Sequence, residues 1–198
     1  MRPLAAPLVA AYGALAVWLY HGSFPWEDTV VMVVWFAALL LVVASGRAWR
    51  LGRAEGALFW GAALLFPAWE FWVRWVLRHD GPPWSWTWLN RPEHLVWMAL
   101  TVVVLSPLYR ASLERLGFVA RLVFVLGLAC LVGNANEFFE YAQRAHAGHA
   151  ERAPYYPDTI VDMLVNVPGG LLGFALLELA RLPGRGRAAR GEPGVSSD

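Results

Sequence analysis

The chain has 198 residues, of which 58% are hydrophobic and 16% charged, and its formal net charge is +1. Soluble domains carry about a quarter charged residues, so this composition excludes an ordinary soluble domain. The net charge near zero gives no strong positive field of the kind that attracts nucleic acid, so no nucleic-acid partner is expected. The length must therefore be divided into segments of roughly 20 apolar residues, each able to cross a bilayer.

Six apolar segments follow one another along the chain. They cover residues 3–20, 29–45, 56–77, 94–109, 117–141 and 159–180. We expect each to be helical, because lipid offers no partner for unpaired backbone groups and the alternation typical of a membrane barrel is absent. The sequence predicts an all-α fold, a polytopic transmembrane helical bundle over residues 1–182. Residues 183–198 are rich in Gly, Arg and Pro and are predicted to form a disordered cytoplasmic tail.

The placement of arginine predicts the orientation of the bundle. All sixteen basic residues are arginines, and Arg74 lies inside the third span. Eleven of the others lie before span one, near the segments that follow spans two and four, or after span six, whereas four lie on the opposite side. Arginine collects on the cytoplasmic side, so both termini are predicted to be cytoplasmic and the loops 21–28, 78–93 and 142–158 to face outward. This arrangement predicts a multi-pass protein of the bacterial inner (plasma) membrane.

Polar side chains are concentrated near the predicted outward ends of spans three to six. Ionisable residues inside a span are costly and by default indicate a functional site. Glu137 and Glu140 share one face of span five, and Asp158 and Asp162 share one face of span six. Five more polar residues are expected to line the same interior: Glu70, Arg74, His94, Asn136 and Asn166.

The chemistry of this predicted site depends on its four carboxylates. Carboxylates on facing helices of a bundle commonly build metal sites, so Glu137, Glu140, Asp158 and Asp162 form the predicted ligand set for a divalent metal ion. Oxygen ligands suit Mg²⁺, Ca²⁺ or Mn²⁺, and the loop histidines at 146 and 149 would favour zinc or iron. Without a metal, adjacent carboxylates share protons and could act as a relay or an acid/base pair. The pattern assigns no catalytic residue.

The C-terminal third carries a family resemblance. It depends on the segment Asn136-Glu137-Phe138-Phe139-Glu140-Tyr141, the run from Asp158 to Asn166, and the glycines Gly169, Gly170 and Gly173. In combination they resemble the YjdF-type family of small bacterial inner-membrane proteins, which carry an ExxE pair at one helix end and an aspartate-rich start of the next helix. The resemblance implies a multi-span protein of unassigned activity in which Glu137, Glu140, Asp158 and Asp162 belong to one feature.

Three classes of function fit the sequence, all with the lipid bilayer as surroundings. The first is a membrane protein whose outward carboxylate site binds a divalent metal or protons and acts on a lipid or envelope substrate. The second is a small transporter or channel. The third is an accessory or assembly subunit that pairs with a membrane-protein partner or forms a homo-oligomer. The inner halves of spans five and six contain few polar residues, which disfavours a through-pore and favours the first class.

Overall fold

The computed structural model describes residues 2–24, 26–79, 84–146 and 155–189. Within these residues all regular structure is helical, which confirms the predicted all-α bundle. A short 3₁₀ turn, Arg47–Arg50, joins the second and third helices. The six long helices are α1 (Arg2–Ser23), α2 (Trp26–Ala44), α3 (Arg53–His79), α4 (Trp84–Leu113), α5 (Phe118–His146) and α6 (Tyr155–Ala189).

Four helices of the described residues are long and apolar enough to cross a membrane. Their candidate spans are Arg53–His79, Leu89–Leu113, Phe118–Gln143 and Asp158–Arg181, and α2 contains a shorter apolar stretch, Thr29–Ala44. Large apolar side chains lie exposed on the outside of the bundle, among them Leu8, Val34, Leu65, Val119 and Leu164. An apolar exterior of this kind suits a lipid environment, so the chain has the architecture of a polytopic membrane protein.

Two helix boundaries differ most from the sequence prediction. Residues 84–93, expected in a loop, form the first turns of α4, which continues through Pro92. A proline removes one helical hydrogen bond. In a membrane bundle this loss is tolerated, because groups on neighbouring helices can satisfy the freed carbonyl. At the other end of the chain, α6 continues to Ala189, beyond the predicted end of the bundle at residue 182. Each residue added to an existing helix gains a hydrogen bond, which favours this extension. Residues 190–198 of the predicted tail lie outside the described residues.

Helix α6 packs closely along α4. An added Cβ would lie 2.7 Å from the carbonyl oxygen of Leu95 if placed on Gly169, and 2.8 Å from that of Ala99 if placed on Gly173. Only residues without a side chain allow two helix backbones to approach this closely. The two glycines share a face of α6 with Asp162, so this approach places Asp162 next to the start of α4.

Candidate metal centre

Three ionisable side chains from three helices meet inside the bundle: His94 of α4, Glu137 of α5 and Asp162 of α6. They are 7%, 2% and 1% exposed, respectively. One potential ligand atom from each residue lies within 4.8 Å of the other two. The imidazole lies between the carboxylates, with Nδ1 3.8 Å from Glu137 Oε1 and Nε2 3.6 Å from Asp162 Oδ2. We call these three residues the His94 cluster.

The separation of His94 Nε2 from Asp162 Oδ2 suits a shared ion better than a direct hydrogen bond, whereas Glu137 approaches the other ring nitrogen, Nδ1. N–H···O hydrogen bonds have donor–acceptor distances of about 2.7–3.2 Å, shorter than either separation. Two ligands about 2.1 Å from a tetrahedral metal lie roughly 3.4 Å apart, close to the 3.6 Å between His94 and Asp162. One imidazole nitrogen with two carboxylates forms a mixed ligand set that suits Zn²⁺, Mn²⁺ or Fe²⁺.

Asn90 orients the aspartate of the cluster. Its side-chain Nδ2 donates to both carboxylate oxygens of Asp162, at 3.1 Å each. Asn90 and His94 are four residues apart on α4, so they lie on one face and both reach Asp162. Outer hydrogen bonds of this kind fix the orientation of ligating carboxylates in metal sites.

A buried amide lies one helical turn further along the same face of α6. Asn166 is 1% exposed, and within the described residues neither of its side-chain polar atoms has a hydrogen-bond partner. It packs against Gly133 of α5, where an added Cβ would overlap the Asn166 amide nitrogen. Gly133 precedes Glu137 by one turn, so the amide lies directly beneath the cluster. An unsatisfied buried amide costs about 1–3 kcal/mol, which favours a polar ligand beside it.

A small polar pocket adjoins the His94 cluster. Arg74 donates from Nε to Glu70 at 2.9 Å and from Nη2 to Glu93 at 2.7 Å. On the other side, Asn136 donates to Glu140 at 2.9 Å. These residues, together with His94, line a cavity of about 20 Å³. We call this cavity the polar pocket.

The structure separates the four predicted metal ligands. Glu137 and Asp162 belong to the His94 cluster, which is buried inside the bundle and not outward-facing as predicted. Glu140, about one turn further along the same face of α5, lines the polar pocket instead. Asp158 is exposed in the first turn of α6 and is not part of the cluster.

The predicted polar lining also meets at this end of the bundle. Glu70, Arg74 and Asn136 line the polar pocket, and Asn166 lies beneath the cluster. His94, predicted only as lining, supplies the nitrogen at the centre of the cluster. Of the loop histidines, the one at 146 is exposed and the one at 149 lies outside the described residues.

Sequence reasoning missed Asn90, which it placed in the loop 78–93, and saw Glu93 only as the residue at which span four opens. In the structure, α4 begins ten residues before the predicted start at residue 94, at Trp84. The available signal was the spacing of Asn90 and His94, which places them on one face once a helix is drawn through the proline.

A second group of charges lies at the opposite end of the bundle, where α3 and α5 begin and α4 ends. Arg110 and Arg181 contact Glu55 at 2.8 and 3.1 Å, and Arg181 and Arg121 both contact Glu178 at 2.9 Å. The sequence reading treated these arginines as orientation signals only. We call these five residues the Glu55 network.

Comparison with protein-family models, with curated proteins and with solved structures found no match for this chain. The resemblance to the YjdF-type family therefore stays a prediction. The fold and the site themselves define the class: a polytopic helical membrane protein with a buried histidine–glutamate–aspartate group.

Proposed function

We propose that this chain is a membrane metalloprotein whose His94 cluster binds one divalent transition-metal ion and acts on a lipid or envelope substrate. The observation that carries the proposal is the meeting of one imidazole and two carboxylates, buried and drawn from three helices. Buried ionisable groups in a membrane bundle are expensive unless they are paired or bind a metal.

The ligand set supports a catalytic role for the metal over a purely structural one. Structural zinc sites are usually closed by four protein ligands, whereas catalytic sites use three and keep a position for water or substrate. The His94 cluster supplies three ligands. The polar pocket beside it, with Glu140 and Glu93, adds carboxylates that could exchange protons with a bound substrate.

The proposed location is the bacterial plasma membrane, with both termini in the cytoplasm and the His94 cluster in the outer half. The excess of arginine near one end of the spans supports this orientation. A transport path is less favoured, because the interior between the two charged groups is dominated by buried apolar residues such as Met98, Val102, Phe174 and Leu177.

Metal content by mass spectrometry on detergent-purified protein tests the proposal. We expect about one divalent ion per chain in the wild type and its loss in Asp162→Asn and Glu137→Gln. The affinity should fall by more than about 100-fold, since outer-shell changes alone cost about 10- to 100-fold.

Asp158→Asn is the matched control, because it makes the same substitution one turn away on α6 at an exposed position. It should retain the metal. A wild type that holds no metal after purification with added Zn²⁺, Mn²⁺ or Fe²⁺ would contradict the proposal. Equal loss in Asp158→Asn would show that surface charge, and not the cluster, binds the ion.

A further inference from the structure

An apolar groove lies between α2, α4 and α5, on the outside of the bundle. Its volume is about 310 Å³, at the lower end of the range for small-molecule sites. Its walls include Val34 and Ala38 of α2, Trp97 and Leu105 of α4, and Phe139 of α5. Val34 and Phe139 are 60% and 40% exposed, so the groove opens toward the surroundings of the helices. For spans that cross a bilayer, those surroundings are acyl chains.

The groove and the polar pocket adjoin each other. Val31, Trp97 and Asn136 line both of them. One end of the groove therefore lies beside the polar pocket, whose lining includes Glu140 and His94. An apolar groove beside a polar recess is complementary to an amphiphile with one chain.

The size and charge of the polar pocket restrict the head group of that amphiphile. A cavity of about 20 Å³ holds roughly one water-sized group, which is too little for a phosphate. Among the described residues that line it, the carboxylates of Glu70 and Glu93 share one arginine, Arg74, which disfavours a further anionic group. A hydroxyl is small and can donate a hydrogen bond to a carboxylate.

We propose that the groove binds the hydrocarbon chain of a long-chain lipid alcohol and places its hydroxyl in the polar pocket beside His94. As an assignment of substrate class it rests on the metal site proposed above, but occupancy of the groove can be measured without any metal. The chain enters sideways from the bilayer, so it never has to cross water to reach the site.

Photolabelling tests this proposal on the full-length protein in nanodiscs. The probe is a long-chain primary alcohol with a diazirine on its chain, and labelled peptides are located by mass spectrometry. In the wild type, we expect the label on groove residues of α2, α4 and α5. An excess of unlabelled alcohol should displace it, whereas a carboxylate of equal chain length should not.

Variants of two neighbouring alanines separate groove binding from general contact with lipid. Ala38→Phe fills the groove and should reduce labelling about tenfold, as expected when overpacking costs more than ~1.4 kcal/mol. Ala37→Phe makes the same change at the adjacent exposed position and should leave labelling unchanged. If Ala38→Phe does not fold, Ala135→Phe fills the groove from α5.

Several outcomes would overturn the proposal. These are label spread evenly over the apolar exterior, label that Ala38→Phe or Ala135→Phe does not reduce, or equal displacement by the carboxylate. Asp162→Asn distinguishes this proposal from the metal site. Its labelling should persist while its metal is lost, so a wild type that binds metal without groove labelling defeats the alcohol proposal alone.

Discussion

The two ends of the bundle both gather ionisable side chains from α3, α4, α5 and α6, but they balance charge differently. In the Glu55 network three arginines meet two glutamates, and every carboxylate oxygen lies within 3.2 Å of a guanidinium nitrogen. The opposite end has five carboxylates against one arginine and one histidine. Its members are Glu70, Arg74, Glu93, His94, Glu137, Glu140 and Asp162.

The difference indicates what each end does. Charges in a low-dielectric interior must be compensated, and the Glu55 network achieves this with its own side chains. The described residues of the His94 end include more carboxylates than cations, and a divalent ion would reduce that excess. The ionisable residues of the Glu55 network thus stabilise the fold, whereas those of the His94 end form a candidate binding site. The balance of charge at each end distinguishes these two roles.

The largest expected effect on stability comes from disrupting the Glu55 network. Glu55→Gln removes the carboxylate shared by Arg110 and Arg181, leaving Arg181 with Glu178 alone and Arg110 with the exposed Glu114 alone. Removing one member of a buried ion pair costs about 3–5 kcal/mol. We expect a loss of unfolding free energy in this range, measured by denaturant titration in mixed micelles, with the metal content of the folded fraction unchanged.

The control for this variant is Glu114→Gln, which removes an exposed partner of the same Arg110. Exposed pairs contribute about 0.5 kcal/mol or less, so this change should barely alter stability. Equal effects of the two substitutions would show that the Glu55 network is not what stabilises this end.

A smaller effect on stability should appear when a metal ion is added and binds at the His94 end. A ligand that binds only the folded state stabilises it by about 2.7 kcal/mol at 100 times its dissociation constant. We expect added metal to raise the unfolding free energy by this amount in the wild type and in Glu55→Gln, but not in Asp162→Asn. If added metal still stabilises Asp162→Asn, the ion binds elsewhere, and the two ends of the bundle do not differ in the way described above.

The smallest expected effect on stability comes from a change in backbone packing beside the His94 cluster. Gly133→Ala would force the Asn166 amide to move, and overpacking of this kind costs about 1.5 kcal/mol. The same variant should weaken metal binding, measured by competition with a chelator, because Asn166 lies beneath the cluster. Gly127→Ala is the matched control on α5, since a Cβ there would meet no described atom within 4 Å. Weaker metal binding in both variants would contradict a specific role for the Gly133–Asn166 contact.

Much of this architecture could be predicted from the sequence. Apolar segment length predicted the helical bundle, and helical spacing placed Glu137 and Asp162 on inward faces. The structure brings these two together with His94. The helical bundle could be predicted because the cost of unpaired backbone and exposed charge in lipid leaves few alternatives.

The parts that could not be predicted depend on contacts between distant segments. Arg121 and Glu178 are 57 residues apart, and no periodicity within one helix indicates that they pair. The contact of Asn90 with Asp162 was missed because Asn90 was placed in a loop, whereas α4 begins at Trp84 and continues through Pro92.

The glycines of α6 have a consequence for ion selectivity. Because Gly169 and Gly173 hold the α6 backbone against α4, the separation of Asp162 from His94 is determined by main-chain contact and not by flexible side chains. In the proposed metal site, this backbone contact would limit the ionic radius that fits between Asp162 and His94. A methyl group at Gly169 would push the two helices apart and widen the site. A position two helical turns from the ligands would then determine whether a smaller or a larger ion is preferred.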